Sequence, residues 1–322
     1  MKAFCIKFIF LITATMIISS CKNEKAETEK KSEIKINKED KISSAGEKES
    51  GIEFNVQYSF PRKIYKIVKE DLNKDGSREI IVLSVLKDSS GNYNDYYNFD
   101  MMEIFSLDKE KSKFKKIFSD TVDYSTEIMF EDLDKTGFRQ ILVKTNSGGN
   151  DEIASDGMFV FGMNEEGSVK LINYFDTGNP ELKDLKNNGI KQILVSDEYW
   201  GVMPQVNVIT FVKDIYSLEN GMLVIKNSDY PEFYTEKIKE LKEKYYGVKR
   251  KVEMGMQLSD LSYPLYREAL EVIVNCYAKG DMKELGLFWK EEKESLKKNI
   301  PQDEFTDLSN FVYKVLPSAQ NA

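Results

Sequence analysis

A mainly β body followed by a helical C-terminal module is the fold class that the sequence predicts, and three observations predict it. A twelve-residue motif recurs three times between positions 71 and 195. Around each copy lie short β-branched and aromatic runs separated by turn residues, which is strand rather than helix patterning. From about Pro231 onward the period changes to apolar residues at helical spacing, punctuated by helix-start residues. The 322 residues then divide into a targeting segment (1–20), a tether (21–52), the repeats (53–228) and the helical module (229–322).

The chain opens MKAFCIKFIFLITATMIISSC, with Lys2 and Lys7 ahead of an apolar stretch from Phe8 to Ile18. That stretch is shorter than the ~20 apolar residues of a spanning helix and has the layout of a secretory signal. Its end, Ile18-Ser19-Ser20-Cys21, resembles the lipobox of bacterial lipoproteins, an aliphatic residue and two small ones before a cysteine. The resemblance implies cleavage before Cys21, a diacylglycerol thioether on its sulfur, and anchoring in the lipid bilayer on the extracytoplasmic side of a bacterial membrane, periplasmic or at the cell surface. An ordinary signal peptide or an uncleaved anchor is the alternative. Residues 22–51 carry eight lysines, eight acids and no aromatic residue. Such a segment cannot offset its ordering entropy by burial and is expected to be a solvated tether.

Composition removes several kinds of chemistry. There is no histidine, so no Ser-His-Asp or Cys-His pair, no HExxH zinc site and no imidazole pH switch can form. Of three cysteines, Cys5 leaves with the signal and Cys21 is the lipidation candidate, which leaves Cys276 in the folded body and no internal disulfide. Cys276 lies in the apolar run 270–277 and is expected to be buried. Removing residues 1–20 deletes two lysines and no acid, so the formal charge moves from −8 to −10. An acidic chain of this kind argues against nucleic acid as a partner and is compatible with divalent cations.

The three motif copies align without gaps: 71–82 (DLNKDGSREIIV), 132–143 (DLDKTGFRQILV) and 184–195 (DLKNNGIKQILV). Their starts are 61 and 52 residues apart, a period that signals propellers or solenoids. Strand-like runs at Ile64–Val68 and Glu127–Phe130 precede the first two copies. Each copy ends in an apolar run, such as Ile80–Val85, and a β-hairpin follows: Met101–Leu107 with Lys113–Phe118, Met158–Met163 with Ser168–Tyr174, and Val206–Tyr216 with Met222–Ile225. The prediction is a propeller-like array of about three four-stranded blades. Either it is an open arc, or a diverged fourth unit using Glu53–Phe60 completes it.

In the first copy the spacing Asp-x-Asn-x-Asp-Gly-x-x-Glu brings hard oxygen donors toward one centre. Asp71, Asn73 and Asp75 alternate, Gly76 allows the turn, the Ser77 carbonyl faces inward and Glu79 closes the shell. Oxygen donors of this kind suit Ca²⁺ rather than Zn²⁺ or copper. An EF-hand would need glutamate at the twelfth position, which here is Val82. The second copy keeps oxygens at Asp132, Asp134, Thr136 and Gln140 with less charge and is the weaker calcium candidate. In the third, Lys186 occupies a ligand position, so Asp184 and Asn188 are expected to form a hydrogen-bonded turn. These cores resemble FG-GAP or VCBS-type repeats, the integrin-α-like blade unit, over about residues 53–228. The resemblance implies β-propeller blades and calcium in the complete first loop. The Phe-Gly and Gly-Ala-Pro landmarks of those repeats are not cleanly present.

The helical module is read as Pro231–Lys244, Pro264–Ala278 ending at Lys279-Gly280, a helix capped by Asp281 and reaching about Lys297, and a last one opened by Pro301 and running to Leu316. Its aromatics, including Tyr263, Tyr266, Tyr277, Trp289 and Phe311, are expected mostly in the core. Between the second and third strands of each unit come loops rich in Gly, Asn, Asp and aromatics. If the units are blades these loops share a face, offering Tyr93, Tyr96, Tyr97, Asn150, Asp151, Tyr199 and Trp200 to an unidentified protein or glycan partner. The leading functional expectation is therefore a calcium-stabilised binding or scaffold lipoprotein and not an enzyme. An inhibitor or immunity-type lipoprotein, and a hydrolase using paired carboxylates, are the alternatives.

Overall fold

The apolar runs that close the three motif copies form strands buried on both faces, and this explains why they do not alternate with polar residues. The structure is a computed structural model that describes residues 54–59, 61–86, 97–149, 151–198, 211–256 and 258–317. Seven strands, β1 (Arg62–Glu70), β2 (Glu79–Leu86), β3 (Phe99–Asp108), β4 (Lys113–Glu131), β5 (Gln140–Asn146), β6 (Asp156–Met163) and β7 (Val169–Phe175), pair antiparallel in chain order. A short helix, α1 (Glu152–Ser155), precedes β6. A second antiparallel sheet holds β8 (Glu181–Lys183), β9 (Gln192–Glu198), β10 (Phe211–Glu219) and β11 (Met222–Ile225), again in chain order.

One strand departs from the expected four per unit. The predicted end of the first unit and start of the second are both part of β4, 19 residues long. Drawn straight, β4 would reach roughly 60 Å at ~3.3 Å per residue. Its first residue nevertheless pairs with Asp108 and its last with Gln140. Lys109 reaches Asp75 at 3.3 Å, and the Arg139 N–H donates to the Leu72 carbonyl at 2.9 Å. Both ends of β4 therefore lie beside the turn between β1 and β2, and the strand doubles back. The bend falls at Val122–Ser125, where the Ser125 hydroxyl donates to the Val122 carbonyl at 2.5 Å and Tyr124 adopts φ +58°. β4 thus serves one four-stranded layer with its first half and the next layer with its second.

The core follows from this folding back. Position by position, the motif copies send equivalent residues the same way. Ile141 and Val143 pack toward the first unit with Ile81 and Leu83, while Leu142 packs toward the third with Ile193 and Val195. Leu194 in turn faces the helices, and Ile80 and Val82 face outward from the first unit, where Phe54 and the partly buried Val56 and Tyr58 cover them. Residues 54–59 do this without forming a strand, so the described part of the Glu53–Phe60 segment is a cover and not a blade strand.

Four longer helices follow a 3-10 turn at Asn227–Asp229: α2 (Pro231–Glu253), α3 (Leu258–Lys279), α4 (Met282–Asn299) and α5 (Gln302–Val315). α2 runs nine residues past its predicted end because Tyr245 and the partly buried Val248 and Val252 continue its inner stripe after Tyr234, Ile238 and Leu241. α3 starts before Pro264, which lies inside the helix, so the proline misled the prediction of the start. Asp281 caps α4 as expected, its side chain accepting from the Glu284 N–H at 2.9 Å. Tyr266, Phe288, Trp289, Phe305 and Phe311 are core, but Tyr263 and Tyr277 are exposed. Cys276 is fully buried and its thiol is pushed up to about 12 by desolvation. Among the described residues no helix is long and apolar enough to cross a membrane.

Candidate functional site

The three motif loops adopt one backbone conformation. Lys74, Lys135 and Asn187, at equivalent positions, have φ of +61°, +58° and +50°, and the equivalent Gly76, Gly137 and Gly189 have φ of +80°, +93° and +79°. In each loop the first aspartate accepts from that glycine's N–H: Asp71 at 3.1 Å, Asp132 at 2.9 Å and Asp184 at 2.6 Å. The ninth side chain reaches back to the second N–H, with Glu79 on Leu72, Gln140 on Leu133 and Gln192 on Leu185 at 3.0, 2.8 and 3.2 Å. The loops are therefore stable Asx-type turns in their own right. They are also linked in series, since Glu70 pairs with Arg139 and Glu131 pairs with Lys191.

They differ in how the first aspartate is satisfied. Asp184 spends both oxygens, accepting from Asn188 at 3.1 Å as well as from Gly189. The second oxygen of Asp71 and of Asp132 is buried without a hydrogen-bond partner. A buried carboxylate oxygen left unpaired is costly, and it is where a hard cation would be taken up. Around it in the first loop, Asn73 accepts from Asp75 N–H at 3.1 Å, and Asp75 accepts from Ser77 N–H at 2.7 Å while its other oxygen meets Lys109. Desolvation works against the Asp75 charge, but the Ser77 N–H and Lys109 hold its carboxyl below the usual value. Glu79 is buried and also accepts from the Ser106 hydroxyl at 3.1 Å; burial lifts its carboxyl above the usual value, and these bonds only partly oppose it. In the second loop Asp134 accepts from the Thr136 hydroxyl at 2.6 Å. Among the described residues, no group of three or more His, Cys, Asp or Glu converges as a metal site. The donor set of the first loop nevertheless suits calcium, because Asp71 has an uncommitted inner oxygen and Lys109, more than half exposed, can leave Asp75 at little cost.

The connections β2–β3, β5–β6 and β9–β10 all leave from the sheet ends remote from these turns. Of the residues predicted there, Tyr93, Tyr96, Asn150, Tyr199 and Trp200 lie outside the described residues, as does Cys21. Tyr97 is half-buried and packs edge-on against Tyr124 at 5.9 Å. Asp151 caps α1, accepting from the Ile153 N–H at 2.9 Å. Sequence reasoning missed what stands beside them. Tyr124 is 48% exposed and Tyr174, stacked on Phe159 at 4.0 Å, is 43% exposed. A recess of about 460 Å³ opens between Thr126, Lys144, Thr145, Asn146, Asp156, Gly157, Asn179 and Pro180. Nothing local marks Tyr124 as exposed, because the strand alternation that would reveal it is interrupted where β4 bends. No protein-family model matches the chain, and no curated protein matches it either.

Proposed function

We propose that the chain is a binding or scaffold lipoprotein, held by a diacylglycerol on Cys21 at the extracytoplasmic face of a bacterial membrane. Its sheets act as three FG-GAP/VCBS-like blades in an open arc, and its partner is a protein or glycan. The open arc is favoured because both outer faces of the stack are already covered, one by Phe54–Tyr58 and the other by the helices. Calcium rigidifies the first loop through Asp71, Asn73, Asp75, the Ser77 carbonyl and Glu79, and more weakly the second through Asp132, Asp134, Thr136 and Gln140. The ion supplies positive charge that joins the loop's oxygens.

The observation that carries the binding reading is the polar recess at the sheet end remote from the aspartate turns, the end toward which the exposed Tyr124 and Tyr174 also lie. Full-length protein in detergent, immobilised and exposed to envelope extract, is expected to retain a partner, and Tyr124→Ala with Tyr174→Ala is expected to abolish retention. Retention unaffected by that double substitution would move the binding surface elsewhere.

A further inference from the structure

We infer that the recess between β5, β6 and the 176–180 link is a saccharide site. This rests on the reading above that this end of the sheets is the binding face. The lining is the first argument. Thr126 and Thr145 supply hydroxyls, Asn146 and Asn179 amides, Asp156 a carboxylate and Lys144 an ammonium, while Pro180 is the only apolar side chain. An apolar ligand would strip water from all of these polar groups without replacing their hydrogen bonds. An anion is disfavoured as well. Lys144 is the lining's one cation; it faces Glu127 at 3.6 Å, and Asp156 stands in the same wall. A metal ion would find a single carboxylate beside an ammonium, too little charge and of mixed sign. What remains is a neutral ligand rich in hydroxyls, each able to donate and accept, and the lining offers both functions.

The second argument is rigidity. Asn146 donates to Asp156 at 2.6 Å and accepts from the Gly148 N–H at 2.8 Å, so amide and carboxylate are held in a fixed relation. The Asn179 N–H binds the Asp156 carbonyl at 3.1 Å. A Cβ on Gly157 would lie 2.4 Å from the Phe175 carbonyl and 2.7 Å from the Thr145 hydroxyl, so only glycine lets these strands close at the floor. A preorganised polar wall loses less entropy on binding than one that must be ordered. The third argument is size. The volume, about 460 Å³, falls in the range of small-molecule sites, ~300–1,000 Å³.

The test is saturation-transfer NMR of the full chain in detergent with maltotriose, mannotriose and diacetylchitobiose, followed by titration of any binder. At least one sugar is expected to bind, and Asn179→Ala or Thr126→Val should each weaken it about tenfold or more, the scale of one lost contact. Glu165→Ala, in the exposed β6–β7 turn at the opposite end of the sheets, should leave sugar binding unchanged, and equal melting temperatures would show that the variants are folded. Sugar binding that survives both recess substitutions overturns the site assignment. No binding of any of the three sugars, or preferential binding of alanyl-glutamate or inorganic phosphate, overturns the saccharide inference. If envelope extract still yields a partner that depends on Tyr124 and Tyr174 while no sugar binds, the binding-face reading stands and the saccharide inference falls.

Discussion

At Asp71 and Asp132 the arithmetic of single oxygens separates three loops that share one backbone. The glycine N–H satisfies one oxygen in every copy, but only in the third does the chain supply a second donor, from Asn188. Calcium is therefore expected to raise the melting temperature of the full chain, and Asp71→Ala with Asp75→Ala to erase the rise. An unchanged melting temperature in the wild type would remove calcium from the account. Glu79→Gln gives a finer check. Gln140 and Gln192 make the same back-bond to the second N–H and add a donation, 3.0 Å in each case, to the carbonyl two residues before them. The substitution should therefore preserve the fold without calcium and shrink the calcium-dependent rise. The spacing and residue types that nominate these ligands are legible in sequence; the missing second donor is not, because it depends on where Asn188 N–H points in the folded turn.

Among the elements, α3 and α5 carry an electrostatic cost. Glu268 and Glu304 each bury an oxygen without a hydrogen-bond partner. Burial is the largest influence raising both carboxyls above the ordinary value of 4.5, with Glu271 and Asp303 adding repulsion, while Arg267 and Lys244 partly offset the effect at Glu268. A folded-state value above the unfolded one means that the folded chain binds the proton more tightly. Their stabilisation is thus full below pH 4.5 and declines as pH rises from there through the raised folded values. Glu268→Gln with Glu304→Gln should flatten that decline and raise the neutral-pH melting temperature by ~1–2 °C, a small rise because solvent screens both partly exposed groups. A slope unchanged in thermal unfolding between pH 4 and 7 would contradict the assignment. At this scale the sequence is readable where signals are local. Asp281 before Glu284 announces the start of α4, and Gly280, at φ +77°, follows the end of α3. It misleads where a signal is overridden, as at Pro264, whose lost backbone bond is tolerated because Leu265, Tyr266 and Ala269 are fully buried beside it.

For the whole molecule, the proposed lipid anchor makes a direct prediction through the lipobox-like run at residues 18–21. Cys21→Ser should move the protein from the membrane fraction to the soluble extracytoplasmic fraction, measured by fractionation and immunoblotting. Retention in the membrane would point to an uncleaved anchor. What the sequence determined by itself is the β-rich body, the three aspartate turns, the helical end and the exclusion of imidazole chemistry, because each rests on residue type and short-range spacing. Only the tertiary structure decided that β4 folds back to serve two layers, that Phe54–Tyr58 covers a face where another blade could have packed, and that a polar recess forms between β5, β6 and the 176–180 link. Those features arise from contacts between residues tens of positions apart, such as Arg139 with Leu72 and Asn179 with Asp156. No local pattern encodes such contacts; they are selected when three buried apolar runs stack face to face and exclude water together.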